Sequence, residues 1–328
     1  MATISSLYII GNGFDLHHGI NSSYGNFREW LSENDCDLLY QFDKIYGDCD
    51  SDWWKDFENQ LASLNAIEYS GGIAFENQPD LMSEHCDRTW NDAQIAVEQE
   101  LEGLFCSLRQ DFHNWIIQLN TPVYARKIKL EAKEALFVNF NYTLTLEDLY
   151  NINPKHILHI HGCVDYDEEF ILGHGKSFDE LQQLNSIELP KPPEDISSDE
   201  LAQFYEDNAV GQELHEQLAL DAAINGVAAQ RKPVDTLLHR FADFIGTMDE
   251  VKNICIYGLS LSDVDVPYIQ YLALKFKDAQ WQFSDFKNQN IQKINSFCES
   301  NEITDYRVIN LEDIMQVHQL CIPFEEFE

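Results

Sequence analysis

Three short apolar runs constrain this chain more than any other feature of its sequence. Leu7-Tyr8-Ile9-Ile10 runs into Gly11-Asn12-Gly13. Ala135-Leu136-Phe137-Val138 runs into Asn139-Phe140-Asn141. Ile254-Cys255-Ile256-Tyr257 runs into Gly258-Leu259-Ser260. The runs are continuous rather than alternating, which is how strands buried on both faces read in a parallel sheet covered by helices. His156-Ile157-Leu158-His159-Ile160, ending in His161-Gly162, is a fourth candidate strand, and Tyr306-Arg307-Val308-Ile309 a fifth. The expectation is an α/β fold, a Rossmann-like parallel sheet flanked by helices.

The intervals between these runs are unequal, and they predict large insertions in a single domain spanning 1–328. A mostly helical insertion is expected over 25–130. It contains an apolar pattern at spacings of three and four from Ala93 to Leu119, together with Trp53, Trp54 and Trp90. A second, acidic and mostly helical insertion is expected over 177–250. It opens with Glu188-Leu189-Pro190-Lys191-Pro192-Pro193-Glu194-Asp195, which reads as a linker or mobile loop. Helical patterns follow over Gly211 to Ala223 and Val234 to Met248.

Composition narrows the partners. Acidic residues number 57 and basic residues 21, a net charge of −36. Nucleic acid is excluded as a default partner, because phosphate binding needs clustered Lys and Arg. An anionic membrane surface is disfavoured for the same reason. The eight cysteines include no pair separated by two residues, so a zinc ribbon or redox pair is not expected. No run approaches the length of a membrane span, and the first residues lack the basic and apolar regions of a signal peptide. A cytoplasmic protein with free thiols is the expectation.

In an open parallel sheet, ligands bind outside the carboxyl ends of the strands. Four of the expected ends carry Gly11-Asn12-Gly13, Asn139-Phe140-Asn141, His161-Gly162 and Gly258-Leu259-Ser260, all small or polar. Two glycines in a strand-to-helix turn let backbone N–H groups approach a phosphate. The full dinucleotide fingerprint wants a third glycine where this chain has Leu16, so a tight turn without ligand remains an alternative. Gly175-Lys176-Ser177 lacks the earlier glycine of a phosphate loop, since Phe170 stands there. His159 and His161 alternate along the fourth run, which leaves three readings open: a two-histidine metal site, a structural pair, and a catalytic His161. No third ligand is placed convincingly, although Asp165 and Asp167 follow, and no metal is expected. Asn141 suits either a turn or the holding of a water or ribose hydroxyl. Asp263 and Asp265 suit helix capping as well as ligand contact.

These residues together resemble the AbiH family of bacterial phage abortive-infection proteins. The resemblance rests on Leu7-Tyr8-Ile9-Ile10-Gly11-Asn12-Gly13-Phe14-Asp15-Leu16 with Tyr24 and Phe27 after it, and on Trp54-Lys55-Asp56-Phe57-Glu58. Phe140-Asn141-Tyr142-Thr143, His161-Gly162 and Gly258-Leu259-Ser260-Leu261-Ser262-Asp263 complete it. That family is in turn similar to the sirtuin-like NAD-binding fold. The resemblance implies that Gly11 and Gly13 approach the phosphates of NAD, and that Asn141 positions the nicotinamide ribose and an attacking water. It implies that His161 acts as base or polarises the ribose hydroxyls, and that Gly258 and Ser260 contact the adenine side. Asp15 would lie near the nicotinamide ribose, with Asn12, Phe14, Gly162 and Asp263 in the same NAD-contacting set. The paired Cys-x-x-Cys zinc module of sirtuin deacetylases is absent, so the resemblance implies NAD hydrolysis rather than deacylation. The expected function is an abortive-infection effector, latent until triggered, that depletes NAD. Its implied partners are NAD, a second copy of the chain, other defence proteins and a phage trigger. A non-catalytic nucleotide-binding sensor or assembly module and an ADP-ribosyl or nucleotidyl transferase are the alternatives.

Overall fold

A computed structural model describes residues 4–79, 89–164, 170–186, 197, 201, 203–204, 214–246, 248 and 250–316. The acidic Pro-containing stretch 188–195, Asp165, Asp167, Cys86, Cys321 and the first three residues of the helix expected over 211–223 lie outside them.

Six parallel strands form one sheet: β1 (Ser6–Ile10), β2 (Ala135–Asn139), β3 (Ile157–His159), β4 (Asn253–Tyr257), β5 (Gln280–Ser284) and β6 (Tyr306–Ile309). Their spatial order is β3-β2-β1-β4-β5-β6, the doubly wound order of Rossmann-like folds. The three apolar runs are the three central strands, where burial on both faces is greatest. Five strands stand where the sequence predicts them. β5 was not among the expectations, because Gln280-Trp281-Gln282-Phe283-Ser284 alternates instead of running apolar. β3 stops at His159, so His161 lies past the strand, next to Gly162 in a left-handed conformation (φ 86°).

The chain divides into two compact units. The first comprises 1–26, 113–171 and 233–328 and contains the sheet. One sheet face buries Leu7, Ile9, Val138, Ile254, Ile256 and Phe283. This face lies in one core with residues of α11 (Val234–Ile245), α12 (Val266–Lys275) and α13 (Ile291–Ser300), among them Phe241, Tyr268 and Ile294. The opposite face buries Ile10, Phe137, Ile157 and Tyr257 with Phe14 of α1 (Asn12–His17), Leu146 of α8 (Thr145–Tyr150), Ile128 and Leu311.

The second unit comprises 27–112 and 172–232. It contains most of α2 (Tyr24–Asn34) and α7 (Asp92–Ile116). Between these come α3 (Cys36–Tyr46), α4 (Ser51–Lys55), α5 (Phe57–Gln60) and α6 (Ala66–Glu76). Later in the chain it adds α9 (Phe178–Leu184) and α10 (Leu214–Ala228). Helix α10 packs on α6 and α9. Trp54 is fully buried, stacked on Phe57 at 4.9 Å and edge-on to Phe27 at 6.1 Å. Glu58 pairs with the buried ammonium of Lys232 at 2.7 Å. Gly175-Lys176-Ser177 leads into a capping box, with Ser177 and Glu180 closing the start of α9 reciprocally.

The described cysteines, Cys36, Cys49, Cys106, Cys163, Cys255 and Cys298, are free. Among the described residues no helix is long and apolar enough to cross a membrane.

Candidate functional site

The order reversal between β1 and β4 marks where an open α/β sheet usually parts to admit a ligand. Here the two loops are locked together. Gly11 N–H donates to the Tyr257 carbonyl at 2.9 Å and Gly13 N–H to the Gly258 carbonyl at 2.8 Å. A Cβ on Gly11 would stand 2.7 Å from the Gly258 carbonyl oxygen, and one on Gly13 2.8 Å from the Gly258 Cα. A Cβ on Gly258, whose φ is +72°, would stand 2.0 Å from the Phe14 nitrogen. These glycines are required by backbone meeting backbone. Phe14 N–H also bonds internally, to the Gly11 carbonyl at 2.9 Å. Of the amides of residues 11 to 14, only that of Asn12 has no partner among the described residues.

The remaining side chains of the turn are also committed. The Asn12 amide donates to the Ser22 carbonyl at 3.0 Å and accepts from Ser22 Oγ at 2.5 Å. Phe14 is fully buried against His18 and Tyr150. Ser260 and Asp263 are exposed, and neither side chain forms a hydrogen bond among the described residues. Between them Leu261 adopts a left-handed φ of 54°.

On the other side of β1 the strand ends build a buried polar cluster. Asp15 of α1 is 1% exposed. Its two oxygens accept from Thr143 Oγ1 at 2.5 Å and Thr145 Oγ1 at 2.8 Å. Burial pushes the Asp15 carboxyl up to about 6, against the pull of Thr143, Thr145, Asn141 and His159. Asn141 is buried and donates from Nδ2 to the Gly11 carbonyl at 3.0 Å, which draws the segment after β2 onto the turn after β1. Asn139, the last residue of β2, holds that segment from below. Its Oδ1 accepts from the Asn141 amide at 3.1 Å and its Nδ2 donates to the Thr143 carbonyl at 3.2 Å.

His159 ends β3 beside this segment. Its Nε2 lies 2.8 Å from Glu147 Oε1, and its Nδ1 lies 3.5 Å from Asn139 Nδ2. An amide nitrogen facing Nδ1 favours the tautomer protonated at Nε2, which then donates to Glu147. The second Glu147 oxygen, Oε2, is buried without a hydrogen-bond partner among the described residues. His161 is buried edge-on to Phe140 at 5.3 Å and tilted to Tyr142 at 6.3 Å. No hydrogen bond joins it to Asn141. Gly162 is buried next to it.

The structure therefore gathers Asp15, Asn139, Asn141, Thr143, Thr145, Glu147 and His159 into one network at the carboxyl ends of β1, β2 and β3. Asn139, Thr143, Thr145 and Glu147 were not among the site residues named from sequence. Their signal was present as two threonines and a glutamate between Asn141 and Tyr150, at the start of a short helix. Among the described residues no group of three or more His, Cys, Asp or Glu side chains is placed to hold a metal ion.

The family model described as bacteriophage abortive infection AbiH matches residues 7–285. The chain belongs to the AbiH family. The match runs from β1 into the loop after β5 and includes both insertion segments, so in this AbiH protein it takes in the whole polar cluster. Membership places the chain among proteins of phage abortive infection. No curated protein and no solved structure matches it.

Proposed function

We propose that this AbiH protein acts in abortive infection by hydrolysing NAD to nicotinamide and ADP-ribose at the ends of β1, β2 and β3. The observation that carries the reading is Asn141, anchored on the Gly11 carbonyl beside the buried Asp15 carboxyl. An asparagine fixed through Nδ2 keeps Oδ1 as an acceptor for a water or a ribose hydroxyl.

The reaction breaks the bond between the nicotinamide nitrogen and the ribose carbon. Nicotinamide leaves as a neutral molecule with the bonding pair. Water forms the new bond to that carbon and releases one proton. The transition state is oxocarbenium-like, so positive charge develops on the sugar, and a buried anion nearby stabilises it more than solvent does. Asp15 supplies that anion once ionised. It is a positioning residue, since Thr143 and Thr145 occupy both of its oxygens. Glu147 Oε2 offers a buried acceptor that a ribose hydroxyl would satisfy. In this reading the glycines hold the two loops together, and the Asn12 amide is the donor left at the turn for a phosphate. His161 keeps the role that the family resemblance implies, as base or as the group polarising the ribose hydroxyls.

The test is to incubate protein purified from phage-infected cells, where the trigger has acted, with NAD and to separate nicotinamide and ADP-ribose by chromatography, with Asn141→Ala and Glu147→Gln alongside. The reading predicts equimolar release of both products by the native chain. Asn141→Ala should reduce it by at least about a hundredfold, the scale of losing one preorganised polar contact. Release unchanged in Asn141→Ala would remove the site from the chemistry.

A further inference from the structure

Away from this cluster the sheet carries a concavity, with a floor unlike that of a covered parallel sheet. Tyr8, Cys255, Gln282 and Arg307 stand in register across β1, β4, β5 and β6. Ser6, Asn253 and Gln280 form the next row. The cavity over them has a volume of about 440 Å³ and is walled by Lys129, Glu131, Asp305 and Ile314. That size lies within the range of sites for small molecules. Faces of parallel sheets are normally apolar. The reverse face of the same strands obeys this, with Ile254, Ile256, Trp281 and Phe283 buried in the core. The polarity of this half-face is thus not demanded by packing.

Gln282 shows what the polarity accomplishes. It is buried and both ends of its amide are spent: Nε2 donates to Tyr257 Oη at 3.0 Å, and Oε1 accepts from Arg307 Nε at 2.8 Å and also from Arg307 Nη2. The exposed Arg307 guanidinium is therefore oriented by a neutral acceptor. It forms no ion pair among the described residues. Lys129, on the cavity wall, likewise forms no ion pair among them. The lining carries two cations, Lys129 and Arg307, beside two carboxylates, Glu131 and Asp305, so the cavity is balanced in a chain with 57 acidic and 21 basic residues. A guanidinium fixed in advance loses less freedom on binding and presents its fork to a planar or tetrahedral oxyanion.

We propose that this cavity binds a small polar metabolite through a phosphate or carboxylate group. The anion sits on Arg307 and Lys129, and Asn253, Gln280 and Tyr257 hydrogen-bond the rest of the molecule. The site lies apart from the Asp15 cluster and does not depend on NAD cleavage.

The test is thermal unfolding of the full chain at fixed ionic strength, titrated with inorganic phosphate, ribose 5-phosphate and succinate. A site-bound anion raises the melting temperature saturably, because only the folded state binds it. The phosphate and dicarboxylate arms distinguish the two oxyanions. Arg307→Gln should weaken the fitted affinity at least tenfold, and so should Lys129→Gln. Gln282→Leu keeps the arginine but frees it, and should weaken binding severalfold. Asn141→Ala should leave it unchanged. Both cations are outside the core, so their variants fold, as the unliganded melting temperature will verify. No saturable rise with any probe would overturn the proposal. So would a rise that persists in Arg307→Gln and Lys129→Gln but disappears in Asn141→Ala.

Discussion

Asp15 concentrates the energetics of the cluster in one side chain. Its carboxyl titrates near 6 in the fold against an ordinary 3.8. A raised value means that the folded state keeps the proton longer than the unfolded chain. This burden is absent below about pH 3.8, grows as the pH rises through the window, and is complete above about 6. The corresponding penalty is about 3 kcal/mol at neutral pH. Asp15→Asn carries no such titration. The stability of the native chain relative to Asp15→Asn should therefore rise as the pH falls from 6 to 4, by up to about 3 kcal/mol. Urea unfolding of the two proteins at each pH measures it. The comparison is needed because His18 acts in the opposite sense. Burial holds its imidazole down to about 4, so acid below pH 6.5 favours the unfolded chain through that residue. At Gly258 the limit is steric. Gly258→Ala places a Cβ 2.0 Å from the Phe14 nitrogen at a φ of +72°. It should cost at least about 3 kcal/mol, combining overpacking with left-handed strain, read as a lowered urea midpoint.

At the scale of elements, the loop from β2 into α8 is the part that the polar cluster organises. Thr145→Val keeps the shape of the side chain and removes one donor from Asp15. The loss of a charge-assisted bond to a buried group predicts a destabilisation of about 1.5–3 kcal/mol above pH 6 and less below it. In the helical unit, Glu58→Gln leaves the Lys232 ammonium buried without its counter-ion. Breaking such a pair costs about 3–5 kcal/mol, and chemical unfolding would register it. The central strands were legible in the sequence because burial on two faces leaves continuous apolar runs. β5 was not, because its polar alternate positions face the cavity over Arg307. The glycine turn was legible as a turn, but the reason for its glycines lies in Gly258, almost 250 residues away in the chain. Asn141 and Asp15 were legible as residues. The hydroxyls of Thr143 and Thr145 that hold Asp15 were not, since hydrogen bonding within a loop leaves no periodicity.

For the molecule as a whole, a net charge of −36 sets a background of self-repulsion. Salt screens it, so the melting temperature should rise by several degrees between low and moderate ionic strength. Calorimetry across a sodium chloride series tests this, and a flat response would mean that the acidic residues are already locally compensated. The same field opposes the approach of any anionic dinucleotide, which makes precisely placed local donors essential to the proposed activity. The most direct test of that activity is made in cells under phage attack. NAD would be quantified through infection in cells carrying the native chain and in cells carrying Asn141→Ala. NAD hydrolysis at this site predicts that NAD collapses before lysis with the native chain, and that both the collapse and the protection vanish with the variant. Protection that persists while NAD stays constant would contradict it.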